Sequence, residues 1–258
     1  MDMSRPTTKP IVLCISGHDP GGGAGIQADI EAVAAQGCHA AALITCLTVQ
    51  DSNKVTELHP IQPQILLAQA ELIIRDYPIA AIKVGLVDNQ ETAECIRQIR
   101  EQLPDTPMVL DTILTSGSGQ TMGAAEYLQP LLPLSTIVTP NRCEARELSG
   151  ETSPGACAKK LLRLGCKSVL ITGADESTQE QVTNTLYDDA HTRHWQWPKL
   201  PGSYHGSGCT LAASVAAHLA KKQTLADAVS FAQEYTWKAL QHGFHPGSGQ
   251  FLPGRFFS

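Results

Sequence analysis

Short apolar runs of β-forming residues alternate with helical stretches over the first two thirds of the chain. The runs, each apolar on both faces, cover residues 11–17, 41–49, 80–85, 107–114, 135–141 and 168–173. The helical stretches cover about 26–36, 62–76, 89–103, 123–132, 142–149 and 154–164. Strands that are apolar on both faces are typical of parallel sheets covered by helices. The pattern predicts an α/β fold with a doubly wound, mainly parallel central sheet, helices on both faces, and ligands at the carboxyl ends of the strands.

The last third of the chain departs from this alternation. The segment from Val182 to Trp197 predicts a small antiparallel hairpin, and a final amphipathic helix is predicted from about Leu225 to Gln241. No linker, charge run or repeat divides the 258 residues. We therefore expect one domain over residues 1–258, with residues 1–10 flexible.

The composition limits the class of partner. A formal net charge of −6, without clustered Lys and Arg, argues against nucleic-acid binding. The eight cysteines include no C-x-x-C pair and no zinc-site spacing, which indicates buried thiols in a reducing compartment. We find no signal peptide pattern in the first residues and no apolar run long enough to span a membrane. These features predict a cytoplasmic protein that acts without a membrane partner.

The segment LPGSYHGSGCTLAASVAA, residues 200–217, sets glycines before a run of small apolar residues that predicts a helix. Gly206, Ser207 and Gly208 would then place unpaired amide groups around an anion such as phosphate. A thiol at a helix N-terminus has a lowered pKa, so Cys209 is predicted to be a proton acceptor or a nucleophile. The alternative is a Gly-Ser turn before a buried helix, with Cys209 an inert core residue.

A second glycine-rich segment, SGHDPGGGAGIQADI, begins near the end of the first predicted strand. Its glycines would let the backbone approach a ligand closely. Dinucleotide binding is disfavoured, because the spacing is not G-x-G-x-x-G and Gln50, not an acidic residue, ends the second strand. Asp29 is expected in the first turn of the following helix, where the alternative to a ligand contact is a favourable interaction with the helix dipole.

Oxygen-bearing side chains follow two later strands. Asp111 ends one strand, and Asn141 and Glu144 follow the next in a T-P-N-x-x-E sequence. Carboxylates of this kind suit Mg²⁺, which keeps several waters and takes one or two carboxylates plus ligand phosphates. The structural alternative is a helix N-cap at Asn141, with Glu144 as the other half of a capping box. The three tryptophans are interpreted as core residues.

Six segments together resemble a known family. They are SGHDPGGGAGIQAD, ITCLTVQ, KVGL, LDTIL, TPNRCEA and HGSGCTLAA, in this order over nearly the whole chain. They resemble the hydroxymethylpyrimidine and phosphomethylpyrimidine kinases of thiamine biosynthesis, which have a ribokinase-like fold. HGSGC is the most specific segment, since most ribokinase-like relatives have aspartate where this chain has Cys209. The resemblance implies that ATP and Mg²⁺ are used to phosphorylate 4-amino-5-hydroxymethyl-2-methylpyrimidine and then its monophosphate.

The resemblance also assigns site residues. It places the aminopyrimidine against Gly17, Asp29 and Gln50, with Leu86 and Ile113 lining its pocket. It places ATP at Asn141, Thr172, Gly173, Gly206 and Gly208, and the metal at Asp111 and Glu144. It places the transferring phosphoryl group at Gly206, Ser207, Gly208 and Cys209, and it implies that Cys209 takes the proton of the attacking hydroxyl. The family further implies a homodimer.

Two departures from the family concern the charge of the ATP phosphates. Thr172 stands where the family has the lysine of K-G-G-H, and residues 115–119, TSGSG, lack the lysine of a K-S-G segment. Compensation would have to come from Lys83 or Arg142. Two alternatives stay open for the chain: a related kinase that acts on pyridoxal or pyridoxine, and a non-catalytic protein that senses the pyrimidine.

Overall fold

The predicted strands join one mixed sheet. The computed structural model describes residues 9–116, 119–175 and 180–257. The strands in these ranges are β1 (Ile11–His18), β2 (His39–Gln50), β3 (Val55–Pro60), β4 (Ile79–Val84), β5 (Met108–Leu110), β6 (Ile137–Val138), β7 (Ser168–Ile171), β8 (Gln181–Asp188) and β9 (Thr192–Pro198). Their order is β3-β2-β1-β4-β5-β6-β7-β8-β9, and the six from β2 to β7 in this order are parallel. The doubly wound sheet and the β8-β9 hairpin are both confirmed.

Helices cover both faces of this sheet. They are α1 (Gly25–Ala35), α2 (Pro63–Asp76), α3 (Gln90–Glu101), α4 (Ala125–Leu128), α5 (Arg142–Ser149), α6 (Pro154–Arg163), α7 (Ser207–Ala220) and α8 (Leu225–Gln241). Successive residues of a strand point to opposite faces. Val12 and Cys14 of β1 therefore join the core under α1, α7 and α8. Leu13 and Ile15 join the other core, under α2, α3, α5 and α6.

Local sequence signals set the starts of the helices. Asn141 and Glu144 form a capping box at α5, Ser153 caps α6 and Thr224 caps α8. Helix α7 differs, because the residue before it is Gly206, which adopts a left-handed conformation with a φ of 84°. A helix that begins without a side-chain cap leaves its first amide groups for another partner, such as an anion.

The edge strand β3 is absent from the sequence prediction. Val55 is its one fully buried residue, and the rest of the strand is exposed or half-buried. It forms by antiparallel pairing with the end of β2, from Cys46 to Gln50. Such a strand depends on a tertiary partner, so its sequence carries little periodic signal.

Three other predicted elements are shorter than expected. The strand predicted at 135–141 is only β6, Ile137–Val138. The strand predicted at 107–114 keeps its sheet pairing only over Met108–Leu110, because the chain leaves the sheet at Asp111. The helix predicted at 123–132 is the short α4 followed by a 3-10 helix over Gln129–Leu134. Prolines in that segment donate no backbone hydrogen bond, which prevents a continuous α-helix.

The remaining chain-level predictions have different outcomes. All eight cysteines are free; seven are buried and Cys143 is exposed, so the prediction of buried thiols holds for seven. Among the helices of the described residues, none combines the length and apolar content that crossing a membrane requires. Of the segment 1–10 expected to be flexible, residues 1–8 lie outside the described part of the chain. The single-domain assignment stays a prediction.

Candidate active site

A large cavity opens at the carboxyl ends of the parallel strands. Its volume is about 610 Å³, and it is lined by residues that follow β1, β4, β5, β6 and β7, together with the segment leading into α7. This is the place predicted from the polar strand ends. The predicted site residues that line it are Gly17, Gln50, Leu86, Asp111, Ile113, Asn141, Glu144, Thr172, Gly206, Ser207, Gly208 and Cys209. Asp29 and Gly173 are not among the residues that line it.

The start of α7 has the geometry of an anion-binding site. A Cβ atom on Gly206 would lie 1.8 Å from the carbonyl oxygen of Gly23 in the glycine-rich loop. The left-handed backbone and this close approach both exclude a side chain at Gly206. Ser207, Gly208 and Cys209 follow as the first three residues of α7 and line the cavity. Their amide groups are those that an α-helix leaves without an intrahelical partner.

The Cys209 thiol lies where two helix N-termini meet. It belongs to the first turn of α7, and the nearby amide of Gly25, the first residue of α1, acts to lower the pKa of the thiol. Burial raises the pKa of Cys209 to about 12, although Lys83 acts to lower it. The neighbouring carboxylates of Asp111 and Asp29 raise the pKa further. The prediction of a lowered thiol pKa is therefore wrong, because burial and two carboxylates outweigh the helix dipole.

A buried ion pair lies beside this thiol. The Lys83 ammonium on β4 is 2.8 Å from Asp29 Oδ1 and 3.7 Å from Asp111 Oδ2. Lys83 and Asp29 are fully buried. Burial raises the pKa of Asp29, and Lys83 opposes this. Burial alone would lower the pKa of Lys83, but Asp29 and other neighbours raise it above its usual value, so Lys83 stays charged.

The predicted contact of Asp29 with the pyrimidine is not supported. Helix α1 begins at Gly25, which places Asp29 in its second turn and not in the first, as expected from the sequence. Its carboxylate binds Lys83 and is fully buried. Asp29 therefore lies beneath the cavity surface in this structure, paired with Lys83, and its contact with the pyrimidine stays a prediction.

An apolar wall lies near the ends of β2 and β4. Leu86 packs with Cys46, Val55 and Met122, and Ile113 packs against this group. Leu86, Val55, Met122 and Ile113 all line the cavity. The wall thus offers a surface for one face of a flat ring.

His205 connects this wall to the glycine-rich loop. Its Nε2 lies 2.9 Å from Asp19 Oδ2 and 3.5 Å from the side-chain nitrogen of Gln50. Asp19 also accepts hydrogen bonds from the amides of Gly21 and Ala24, at 2.8 and 2.9 Å. Burial would raise the pKa of Asp19, but these hydrogen bonds, led by that of His205, lower it to about 2. The Asp19 carboxylate therefore accepts from His205 Nε2 and fixes the His205 ring, and Gln50 lies beside that ring.

Two carboxylates face the cavity from β5 and α5. Asp111 Oδ2 is buried and makes no hydrogen bond to the described residues. Glu144 Oε2 accepts hydrogen bonds from the Asn141 amide at 3.0 Å and from Thr112 Oγ1 at 3.2 Å. Burial raises the pKa of Glu144 to about 8; the Asn141 amide opposes this and Asp111 adds to it. The capping box of Asn141 and Glu144, which the sequence suggested as an alternative to metal binding, is thus present. The Glu144 side chain also lines the cavity.

The segment after β7 brings Arg142 close to the position of the missing lysine. Thr172 lines the cavity, and its amide donates to the Pro140 carbonyl at 3.0 Å. The Gly173 amide donates to Asn184 Oδ1 at 3.0 Å. A Cβ on Gly173 would lie 3.1 Å from Nη2 of Arg142. Of the two cations considered as substitutes, Arg142 lies beside Thr172, whereas Lys83 is committed to buried carboxylates.

Two tryptophans were missed as cavity residues. Trp197 and Trp237 line the cavity, although the sequence favours core packing for both. The indole nitrogen of Trp197 donates to Gln233 Oε1 at 3.3 Å, and that of Trp237 donates to the Pro198 carbonyl at 2.9 Å. Their rings meet where β9 approaches α8, and nothing in the local sequence identifies that meeting point. They add an aromatic surface to the cavity wall.

The fold and the cavity define a ribokinase-like kinase. A pyridoxal kinase from Staphylococcus aureus, solved in complex with pyridoxal, matches with a TM-score of 0.88 at 25% identity, covering 96% of this chain and 94% of that one. A phosphomethylpyrimidine kinase from Clostridium difficile 630 matches with a TM-score of 0.79 at 29% identity, covering 90% of this chain and 100% of that one.

Sequence comparison identifies the family within this class. A family model described as phosphomethylpyrimidine kinase matches residues 19–253. The hydroxymethylpyrimidine/phosphomethylpyrimidine kinase of Haemophilus influenzae is 34% identical over 251 residues, which cover 92% of this chain and 93% of the relative. The corresponding protein of Streptomyces coelicolor is 34% identical over 255 residues, covering 95% and 93%. The chain belongs to the phosphomethylpyrimidine kinase family, and the resemblance found in the sequence is confirmed.

We expect Cys209 to resist alkylation, because a buried thiol with a pKa of about 12 forms little thiolate near neutral pH. Cys143 is exposed and serves as a control within the same molecule. Iodoacetamide at about pH 8, followed by peptide mass spectrometry, should label Cys209 at least about 100-fold more slowly than Cys143. Equal labelling rates in the folded protein would show that the thiol is activated.

The substitution Lys83→Met should destabilise the fold by about 3 to 5 kcal/mol, because it leaves the Asp29 carboxylate buried without its cation. The double variant Lys83→Met with Asp29→Asn should recover part of this loss. Urea denaturation measures both.

The same variant should also change the pH dependence of stability. Without Lys83, the folded-state pKa of Asp29 lies above its unfolded value, so the folded state binds more protons. The stability of Lys83→Met should therefore increase as the pH is lowered from neutral to about 4, the ordinary range of an aspartate pKa. If the double variant of Lys83→Met and Asp29→Asn is no more stable at neutral pH than Lys83→Met alone, the buried ion pair is contradicted.

Proposed function

We propose that the chain transfers the γ-phosphoryl group of ATP to 4-amino-5-hydroxymethyl-2-methylpyrimidine, and then a second phosphoryl group to the monophosphate. The observation that carries this is the start of α7, where Ser207, Gly208 and Cys209 present an anion-binding helix end to a cavity with an apolar wall. The relatives named hydroxymethylpyrimidine/phosphomethylpyrimidine kinase support the choice of substrate.

The pyrimidine ring binds between the apolar wall and Gln50. Leu86 and Ile113 contact a ring face, and Gly17 packs against Cys46 and Leu86 so closely that a Cβ there would lie 3.1 Å from each side chain. The Gln50 amide can both donate to and accept from an aminopyrimidine edge. Gln50 lies 3.5 Å from the His205 ring, which the Asp19 carboxylate holds in place.

The residues present fit a magnesium ion. Asp111 has a buried carboxylate oxygen without a hydrogen-bond partner among the described residues, and Glu144 lies close enough for the Asp111 charge to raise its pKa. Within the described ranges no group of three or more His, Cys, Asp or Glu side chains forms a metal cage. Mg²⁺ does not need one, since it takes one or two carboxylates together with phosphates and water. The ion would neutralise phosphate charge between these two carboxylates.

ATP extends from the start of α7 towards Asn141 and Thr172. The amides of Gly206 and Gly208 hold the transferring phosphate, and Asn141 and Thr172 lie on the neighbouring wall. The relatives' structures with ADP and AMP-PCP, both from pyridoxal kinase of Staphylococcus aureus, support nucleotide binding in this fold. Gly173 acts by anchoring its segment to Asn184 and not by lining the cavity.

Transfer proceeds directly from ATP to the hydroxymethyl oxygen. That oxygen forms the new bond to phosphorus, the bond from phosphorus to the bridging oxygen of ADP breaks, and the hydroxyl proton leaves. Cys209 takes that proton as a thiolate, after its own thiol proton has left to solvent through the cavity that it lines. A late proton transfer of this kind is sufficient, since phosphoryl transfer depends mostly on positioning and charge stabilisation.

We also propose an oligomeric state and a cellular compartment for the enzyme. A homodimer is supported by the half-exposed apolar side chains of Leu47 and Val49 on β2, near the sheet edge. A reducing compartment such as the cytoplasm is supported by eight free cysteines.

The function is tested by measuring ATP- and Mg²⁺-dependent phosphorylation of both pyrimidines and of pyridoxal. We expect turnover of both pyrimidines. Preferred turnover of pyridoxal would favour the second candidate, which the structural match to pyridoxal kinase supports. Tight pyrimidine binding without turnover would instead identify a sensor.

The variant Gln50→Leu tests the recognition of the pyrimidine. It should raise the KM for hydroxymethylpyrimidine by about 100-fold or more, because the polar edge of the ring loses its partner. The KM for ATP should stay within about 2-fold of the wild type, as expected when only uniform substrate binding is lost. Gln64→Leu on the exposed side of α2 is the control and should change neither constant. An equal effect of Gln50→Leu on both substrates would contradict the assignment.

The variant Thr172→Lys restores the cation that the family has at this position. It should lower the KM for ATP by about 3- to 10-fold, as one further charge near phosphate is worth on the order of 1 kcal/mol at an exposed site. Thr192→Lys, an exposed position on β9, controls for added charge alone. Steady-state kinetics measures both variants, and an unchanged KM in Thr172→Lys would place the phosphates elsewhere.

A further inference from the structure

The C-terminal segment crosses both loops that form the phosphate site. We define the strap as residues 244–255. Phe251 pairs with the segment before α7: its amide donates to the Ser203 carbonyl, and its carbonyl accepts from the His205 amide, both at 2.9 Å. The strap therefore extends the backbone hydrogen bonding up to the residue that precedes Gly206.

Arg255 ends the strap inside the protein. It is 3% exposed, although it lies three residues from the end of the chain. Its Nη1 lies 2.9 Å from Glu31 Oε2 on α1 and donates to the Gly22 carbonyl at 3.3 Å. Its Nη2 donates to the Gly23 carbonyl, and its Nε donates to Thr210 Oγ1 at 3.0 Å.

These partners belong to the glycine-rich loop, α1 and α7, whose relative positions determine the shape of the proposed phosphate site. The Gly23 carbonyl is the group against which Gly206 packs, so tightly that a Cβ on Gly206 would overlap it. Thr210, in the first turn of α7, donates in turn from Oγ1 to the Gly206 carbonyl at 2.8 Å. One planar guanidinium thus binds the glycine-rich loop, α1 and α7 at once.

We propose that Arg255 is a positioning residue for phosphoryl transfer, which it serves by fixing the glycine-rich loop against the start of α7. This inference rests on the proposed function of the α7 amides. Arginine suits the role because its donors have a fixed fork geometry, whereas a lysine ammonium can reach only part of this set. A displacement of about 1 Å at a reacting group can cost on the order of 100-fold in rate, so the contact affects chemistry without touching the substrate.

The test compares Arg255→Lys with Arg100→Lys. Arg100, on α3, is a matched control: it is 9% exposed and donates to the backbone carbonyls of Leu103, Pro104 and Leu134, and it does not line the cavity. Arg255→Lys should lower kcat by about 30-fold and leave the KM for hydroxymethylpyrimidine within about 2-fold. Arg100→Lys should leave the KM unchanged, and it should lower kcat only in proportion to the fraction of the protein that is unfolded.

Calorimetric measurement of nucleotide binding in the presence of Mg²⁺ distinguishes a positioning role of Arg255 from a general loss of nucleotide affinity. Arg255→Lys should bind AMP-PCP about 10-fold more weakly and ADP within about 2-fold, because the third phosphate position is the one that the α7 amides hold. A purely structural role would weaken both nucleotides alike or neither. The binding result stands even if the wild type shows no turnover, so a failure of the proposed function is recognised separately.

A milder variant keeps the test decisive if Arg255→Lys does not fold. Glu31→Gln removes only the charged partner of Arg255, at a side chain that is 28% exposed, and it should shift kcat and AMP-PCP affinity in the same direction by about 2- to 5-fold. The proposal is overturned if folded Arg255→Lys, or Glu31→Gln in its absence, keeps wild-type kcat and wild-type AMP-PCP affinity.

Discussion

The Lys83 ammonium group is the charge on which the site depends. It is fully buried, lies within 4 Å of the Asp29 and Asp111 carboxylates, and lowers the free-energy cost of burying both beside the cavity. Burial raises the pKa of Cys209, Lys83 opposes this and the two carboxylates add to it, which keeps the thiol protonated. One carboxylate oxygen of Asp111, Oδ2, makes no hydrogen bond to the described residues and is therefore available to a metal ion. Lys83 therefore sets the electrostatic surroundings of Cys209 and Asp111 from beneath the cavity.

Because Lys83 is committed below the cavity, the phosphate charge has to be met by other groups. The family lysine at Thr172 is absent, and Arg142 lies beside that position. The main-chain amides at the start of α7 supply fixed partial charges that need no lysine. Their geometry depends on the contact between Gly206 and the Gly23 carbonyl, which any side chain at Gly206 would disrupt. The phosphate site that we propose thus relies on backbone amides and a metal ion more than on cationic side chains.

The fold and most of the candidate site can be predicted from the sequence, and the features that cannot be predicted have physical reasons. Alternating apolar runs are a local signal, and so are the glycines before α7, so both could be predicted. The edge strand β3 depends on its pairing with β2, and the burial of Asp29 depends on Lys83, which is 54 residues away. Arg255 shows no local pattern at all, because its partners lie in the glycine-rich loop and in α7. Long-range contacts of this kind also changed the pKa expected for Cys209.

We propose that backbone amides at the start of α7 hold the transferring phosphate. The most direct measurement is the change in amide chemical shifts, in ¹H-¹⁵N spectra, when Mg²⁺ and AMP-PCP are added to the assigned protein. The account predicts that the largest downfield shifts are those of the Ser207, Gly208 and Cys209 amides, and that ADP produces much smaller shifts at the same amides. If these amides do not move and the main changes fall at residues 172–175, the phosphate lies on the opposite wall and the account is wrong.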